Sequence, residues 1–471
     1  MTNMSRTTRM AILIAFALIF LCAAPVVILY SKGYVFDVEQ RRFVQTGALF
    51  LKTVPQDVVL KVGSTIKTVS QQGILYNGIF VRNLVPKTYH VEVASVQNPD
   101  VSWQKDLLVQ PLVVTKETRI ALPAPRLDPN TSAFATSSPS FTQLSGDTTL
   151  LYSSDDKRIE TLDLVSGDQS VLMDLPASGQ NKRDAITNVA LSQNQDQAVV
   201  TTASRTLFWF HGSFLDAPSY LATFMKNEHV AFSDLSFRWH PTQKQTLVIL
   251  TPSAGYLLDT QANTYRLFDK TKVLGLGENG SGTYYVASNG SVVPFTTQGQ
   301  TGQPVGSLAQ WSKTKAFWML HELPESQILA WQKNGPLVLL NVQTSAAIIL
   351  GSHVTAMRVS PDQNRVVWAD GNAISVTFLQ NVFDDVQYAK DQTIRLAQEQ
   401  EPVQNLFFTN DTWYVAATEQ DQIAVLEIDT RMPINAWHIK IPAQTAFPYV
   451  DNASLYWISG ANRSVSDLFS N

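Results

Sequence analysis

Few residues in this chain stand at spacings that could do chemistry. Gly275-Leu276-Gly277-Glu278-Asn279-Gly280 satisfies the G-x-G-x-x-G spacing of phosphate-cradling loops. Such a loop works when it leaves a strand and opens a helix whose amino end holds a pyrophosphate. Here Thr283-Tyr284-Tyr285-Val286-Ala287-Ser288 follows and reads as a strand, so the glycines are expected to shape a turn. The seven histidines, at 90, 211, 229, 240, 321, 353 and 438, include no pair at metal-ligand spacing, and neither H-E-x-x-H nor Glu-x-x-His occurs. His321-Glu322 is adjacent only, which on a strand points the two side chains apart. Asp155-Asp156 and Asp384-Asp385 stand in turn-like contexts where Asp bonds its own backbone. There is no D-x-D-x-D-G calcium loop and no G-x-S-x-G elbow. No catalytic, cofactor-binding or metal-ligating residue is therefore assigned, and no cofactor is expected. Of ten tryptophans, Trp209, Trp239, Trp331, Trp368 and Trp457 sit inside apolar runs and are read as packing. Trp103 follows a turn and is the candidate for an exposed aromatic contact.

The elements that would position these residues begin with a hydrophobic span. Residues 10–30, MAILIAFALIFLCAAPVVILY, carry no charge. As a helix rising about 1.5 Å per residue they cover roughly 30 Å, the hydrocarbon thickness of a bilayer. A cleaved signal peptide has a shorter apolar core, about 7–15 residues, and ends at a small-x-small site. An uncleaved anchor is therefore expected. Cys22, the one cysteine, lies within it, and Ile19-Phe20-Leu21 before it lacks the small residues of a lipidation site. The rest of the chain can form neither a disulfide nor a thiolate metal site. Flanking charge is nearly balanced, Arg6 and Arg9 against Lys32, Arg41 and Arg42. A short basic tail is easily retained while long downstream domains translocate regardless of charge, so the amino terminus is expected inside and the body outside. Charged residues are 16% of 471 and the net charge is −4 with no basic block, which argues against nucleic acid.

After a connector at 31–45, with a strand expected over 34–38, the hydrophobic period becomes two. Val58-Val59-Leu60-Lys61-Val62 and Tyr89-His90-Val91-Glu92-Val93 alternate, and 105–109 and 119–122 read as further strands. Thr46-Gly47-Ala48-Leu49 before Val54-Pro55-Gln56-Asp57-Val58, then Pro86-Lys87-Thr88-Tyr89-His90-Val91-Glu92-Val93, Trp103-Gln104-Lys105 and Val109-Gln110-Pro111, resemble a PEGA domain. The name-giving tetrad reads Pro55-Gln56-Asp57-Val58 here, and Lys87 replaces the hairpin glycine. The resemblance covers 46–122 and implies a β-sandwich-like bacterial or archaeal surface module without catalytic residues. Residues 123–139, PAPRLDPNTSAFATSSP, disfavour helix and central strand and are expected to be a linker.

From 140 to 471 one theme recurs at about 40 residues: apolar-x-apolar-Ser, a polar turn, then an apolar run. Val189-Ala190-Leu191-Ser192 leads into Ala198-Val199-Val200, and Met357-Arg358-Val359-Ser360-Pro361-Asp362 into Val366-Val367-Trp368. Phe237-Arg238-Trp239-His240-Pro241 repeats it before Leu247-Val248. A group of this size cannot bury both faces of its sheet alone and must stack on neighbours. About seven groups closing on themselves make a β-propeller, with starts expected near 141, 187, 234, 273, 316, 354 and 404. Residues 449–469 are expected to complete the first blade or to begin an eighth. The Ser-Pro-Asp turn resembles those of TolB-like and WD40-like propellers, a fold-level likeness that is silent on ligand.

The expected architecture is all-β: cytoplasmic tail 1–9, transmembrane anchor 10–30, connector 31–45, PEGA-like β module 46–122, linker 123–139, and propeller 140–471. The expected function is a single-pass cell-envelope protein presenting its propeller for protein or cell-wall glycan binding. The alternative is a membrane-tethered extracytoplasmic hydrolase or lyase using the propeller channel.

Overall fold

The structure, a computed structural model, describes residues 6–471 except 38–39, 56, 71–77, 97, 125, 128, 136–138, 146–147, 154–157, 176–184, 193–196, 203–205, 211–212, 217–218, 232–234, 241–244, 263, 278–283, 295–301, 312–315, 384–385, 410–411, 442–445, 452 and 470–471. Helix α1 runs Arg6–Ser31 with Pro25 inside it. Its stretch Met10–Ser31 is long and apolar enough to cross a membrane, and none of it is buried by the rest of the chain. A helix apolar on every face has its solvent in lipid or in a binding partner, not in water. A signal sequence near an amino terminus has the same length and composition.

A short hairpin follows, Tyr34–Asp37 against Arg42–Gln45, closed by an edge-to-face Phe36–Phe43 pair at 5.3 Å. Residues 47–121 then form two facing sheets. One has Gly47–Val54 at its centre, antiparallel to Ile79–Leu84 and parallel to Val114–Ala121. The other runs in the order Thr65–Ser70, Asp57–Val62, Thr88–Ser95, Ser102–Leu108. Period-two alternation builds this sandwich: Val58, Leu60 and Val62 point inward from their strand, and Val91 and Val93 from theirs, to meet Leu49, Leu51, Leu107 and Ile120.

Beyond residue 140 the described strands, apart from the short hairpin Val382–Phe383 with Gln387–Tyr388, fall into eight antiparallel groups, the last of which takes its fourth strand from before residue 140. Blade 1 is Phe141–Ser145, Thr149–Ser153, Arg158–Asp163 and Gln169–Asp174. Blade 2 covers 186–216 and blade 3 covers 236–269. Blades 4, 5 and 6 are joined in one eleven-stranded sheet. There the first strands of blades 4 and 5 pair in parallel, Gly275 opposite Trp318. The long strand Ala347–Val359 serves blade 5 with its first half and blade 6 with its second. Blade 7 is Asn405–Phe408, Tyr414–Thr418, Gln422–Glu427 and Ala436–Lys440. Blade 8 is Ala446–Asp451, Ser454–Ser459 and Asn462–Asp467, and its fourth strand is Asn130–Ala133.

The blade starts expected near 141, 187, 234, 273, 316, 354 and 404 each lie within a few residues of a first strand. The strands make eight groups where about seven were expected, with 449–469 either completing the first or beginning an eighth, and 123–139 contributes a strand. Strand Asn130–Ala133 arrives from the start of the repeat region and covers the edge that blade 8 would otherwise expose. Blade 8 meets blade 1 through Phe134, Tyr152, Leu162 and Ile458, and Arg463 donates to the carbonyls of Leu164 and Val165. Buried apolar clusters fill the other junctions between successive blades, for example Val248, Leu257, Leu276 and Tyr285 between blades 3 and 4, and one cluster runs through blades 6, 7 and 8.

One helix was not expected. α2, Ser219–Glu228, places Leu221, Phe224 and Met225 on one face against Tyr256 and Leu258. Their i, i+3, i+4 spacing is the legible signal, and Lys226 in the last turn suits the helix carboxyl end.

Gly275 has a packing reason to be glycine. A Cβ there would lie 2.5 Å from Trp318 Cβ and 2.6 Å from its carbonyl oxygen. Gly275→Ala is expected to destabilise by about 1–3 kcal/mol, read by chemical denaturation, because backbone on the facing strand cannot retreat cheaply.

Candidate functional site: ionic clusters around blade 7

Blade 7 carries two buried polar clusters. The first joins it to the sandwich. Ser102–Leu108 directs Trp103 and Lys105 into the loop after Gln422–Glu427. Trp103 Nε1 donates to Glu427 Oε1 at 3.0 Å, and Lys105 Nζ meets Glu427 Oε2 at 2.7 Å and Asp429 Oδ2 at 3.4 Å. Lys105 also donates to the carbonyls of Arg431 and Pro433. Arg431 bridges Asp429 at 2.6 Å and Glu117 at 2.5 Å. Around these charges Asn435 exchanges bonds with the Gln104 backbone, Trp437 Nε1 donates to Ser102 O, and Tyr414 Oη donates to Arg119 O. Burial would raise the Asp429 carboxyl, but the Arg431 bonds and the Lys105 charge overcome it and hold it below the usual carboxylate range. Arg431 is held above its usual value because Asp429 and Glu117 outweigh its burial. The guanidiniums of Arg119 and Arg365 both lie over the Trp413 ring, at 3.6 and 4.0 Å. The cavity among Glu117, Arg119, Trp413 and Arg431 holds only about 10 Å³, room for about one water. Lys105, Arg431, Glu117, Glu427 and Asp429 are each bonded to another protein group, so the cluster acts as a clamp between the sandwich and blade 7.

The second cluster lies between blades 6 and 7. Glu399 directly follows the outer strand of blade 6, Thr393–Gln398, its backbone N–H held by Asn372 O. Glu419 opens the tight turn after Tyr414–Thr418, where its N–H bonds Gln422 O. His438 sits mid-strand on the outer edge of blade 7, opposite Ala424. His438 Nε2 is 2.8 Å from Glu399 Oε2, and Gln422 Nε2 donates to Glu419 Oε2 at 2.6 Å. Glu419 is 1% exposed, and its Oε1 has no hydrogen-bond partner. Burial raises the Glu419 carboxyl above its usual value, with the charge and close approach of Glu399 adding to it against the Gln422 bond and the His438 charge. Chemically, the group could take up a proton or a cation.

The residues singled out by sequence fall elsewhere. Trp103 is corrected: it is wholly buried in the sandwich core and bonded to blade 7. The turn before it brings its strand under the propeller, where the apolar ring is covered and its one N–H is satisfied. Gly275 and Gly277 lie within a first strand, while 278–280 lie outside the described residues. Asp155-Asp156 and Asp384-Asp385 are also outside them. Trp239 Nε1 donates to Ala190 O of blade 2, and Trp331 Nε1 to Val354 O of blade 6, so these tryptophans stitch neighbouring blades. Burial, then the Arg358 charge, lowers His321. No local motif announces Glu399, Glu419 and His438, since three separate strands converge on them.

His240, buried at the end of Ser236–Trp239, has its pKa lowered from 6.5 to about 4 by burial and then by Arg266. Between those values the unfolded chain binds the proton and the folded chain does not, so stability falls as pH drops through that window. The loss approaches about 3 kcal/mol below pH 4. His240→Gln is expected to flatten that part of the acid limb in thermal melts taken from pH 7 to 4.

Fold and strand pairing define a β-propeller protein with an apolar amino-terminal helix. No family model and no curated protein matches the sequence. Solved structures similar to it include the C-terminal WD40 domain of Sif2, at TM-score 0.42 and 12% identity, covering 72% of this chain and 98% of that one. Others are Saccharomyces cerevisiae Sqt1, at 0.42 and 12% over 74% and 100%, and the β-propeller domain of Myceliophteria thermophila Cps50 (Swd1), at 0.38 and 12% over 72% and 100%. The propeller assignment rests on the strand pairing above.

Proposed function

We propose that the protein is a single-pass, membrane-anchored scaffold of the cell envelope. In this reading α1 spans the bilayer with the amino terminus inside, the sandwich is a PEGA-like module at the membrane surface, and the propeller presents a binding face for protein or cell-wall glycan. The observation that carries it is an apolar helix with none of its span buried, leading straight into a folded body. The sandwich supports the reading, since Asn83 reaches Tyr30 Oη at the helix end at 3.4 Å and the clamp ties the same module to blade 7. A body held this way stands close to the membrane in a set pose.

The test is extraction of membranes at alkaline pH, with sequencing of the mature amino terminus and protease added from each side. The full chain is expected to stay in the membrane with residues 1–9 protected and the body cleaved from outside. A chain lacking 1–31 is expected to become soluble. A mature protein beginning downstream of residue 22 and released by the wash would replace the anchor with a signal sequence.

A further inference from the structure

We propose that Glu399, Glu419 and His438 form a binding site for one divalent transition-metal cation, with Zn²⁺ as the reference ion, which clips blade 6 to blade 7. One carboxylate oxygen from each glutamate and one imidazole nitrogen all lie within 4.8 Å of one another. Around a tetrahedral zinc ion, with bonds of about 2.0–2.2 Å, such atoms stand roughly 3.3–3.6 Å apart. The widest pair of donor atoms must therefore close by roughly 1 Å, a movement to which the half-exposed His438 ring contributes by rotating.

Three features point to a cation. Two carboxylates are buried side by side with a single imidazole facing them, so the set is short of positive charge. Oε1 of Glu419 is buried and has no hydrogen-bond partner, and a buried acceptor left so is costly. The positions of the ligands are also prepared: Gln422 holds the other oxygen of Glu419, and backbone bonds fix the Glu399 and Glu419 main chains. Metal sites rely on such outer supports to aim their ligands.

The donor set selects the ion. One imidazole with two carboxylates suits zinc and its first-row neighbours, whereas Ca²⁺ and Mg²⁺ prefer oxygen ligands throughout. Three protein ligands leave a position for water on the exposed side of His438. The cation would neutralise both carboxylates and bind the end of blade 6 to the turn and outer strand of blade 7. The site stands whether or not α1 crosses a membrane.

The experiment uses the full chain in detergent, stripped with EDTA and titrated with ZnCl₂ against a chromogenic chelator, with metal content per chain measured after dialysis. One zinc per chain is expected, with an apparent Kd at or below the micromolar range and a rise in Tm that EDTA reverses. Glu419→Gln keeps the shape and the Gln422 neighbour while removing a charge, so it is expected to fold at least as well as the parent and to lose zinc affinity at least tenfold. His438→Asn is expected to lose it likewise, while His353→Asn is expected to bind as the parent does. Absence of saturable zinc binding would overturn the proposal. So would zinc binding that survives Glu419→Gln and His438→Asn together, or Ca²⁺ or Mg²⁺ binding as tightly as Zn²⁺.

Discussion

Lys105→Met is expected to destabilise the folded chain by about 3–5 kcal/mol, measured by chemical denaturation. The Lys105 side chain is wholly buried, and its ammonium is shared by Glu427 and Asp429 and by two carbonyls. Methionine matches the stem in volume, so the loss is electrostatic and leaves buried carboxylates short of a counter-charge. Glu427 keeps Trp103 and Asn435, and Asp429 keeps Arg431, which places the expected value nearer the lower end. Adding Glu427→Gln to Lys105→Met is expected to restore part of the loss, because the second change removes a charge that the first left exposed to an apolar surround. A loss below about 1 kcal/mol would mean that water reaches these charges and the sandwich is not docked on blade 7.

Trp103→Ala is expected to cost about 3–5 kcal/mol, as removal of a large buried aromatic does. The cavity would open among Leu60, Val93, Leu107 and the propeller face, and Glu427 Oε1 would lose its donor. Trp103→Phe keeps most of the volume and isolates the hydrogen bond, so about 1–3 kcal/mol is expected for the orphaned acceptor. A glycan-stacking tryptophan at the surface would behave oppositely, with ligand affinity falling and stability unchanged. Since Trp103 and Lys105 share Glu427, their effects are not expected to add.

Much of the fold was legible because it is local. Alternation in Asp57–Val62 and Thr88–Ser95 arises from the two-residue strand period. The starts of seven blades were visible because each repeat closes its own hairpins through nearby turns, as where Asp259 accepts from Gln261 and Ala262. The apolar character of 10–30 needed no context at all. The missed helix α2 carried its signal, but in a stretch of Ser, Tyr, Ala and Thr where the strand-turn rhythm on either side dominated the reading.

Blade count and the polar clusters were not legible, for one physical reason: their partners are remote in sequence. Asn130–Ala133 reads as linker until the edge of Asn462–Asp467 gives it something to pair with. Trp103 reads as a surface aromatic until Glu427, more than three hundred residues on, is brought against it. His438 and the glutamates at 399 and 419 have no spacing that marks a site.

By itself, the sequence determined an apolar amino-terminal span, an all-β body, the lack of cysteine after Cys22 and the approximate start of each repeat. These follow from hydrophobicity and short-range turn chemistry, which act between neighbours. Only the tertiary structure decided how the ring closes, that the sandwich is clamped to blade 7, and that two glutamates and a histidine share one pocket of space. Those depend on loops closing over hundreds of residues, where no local pattern records which side chains will meet.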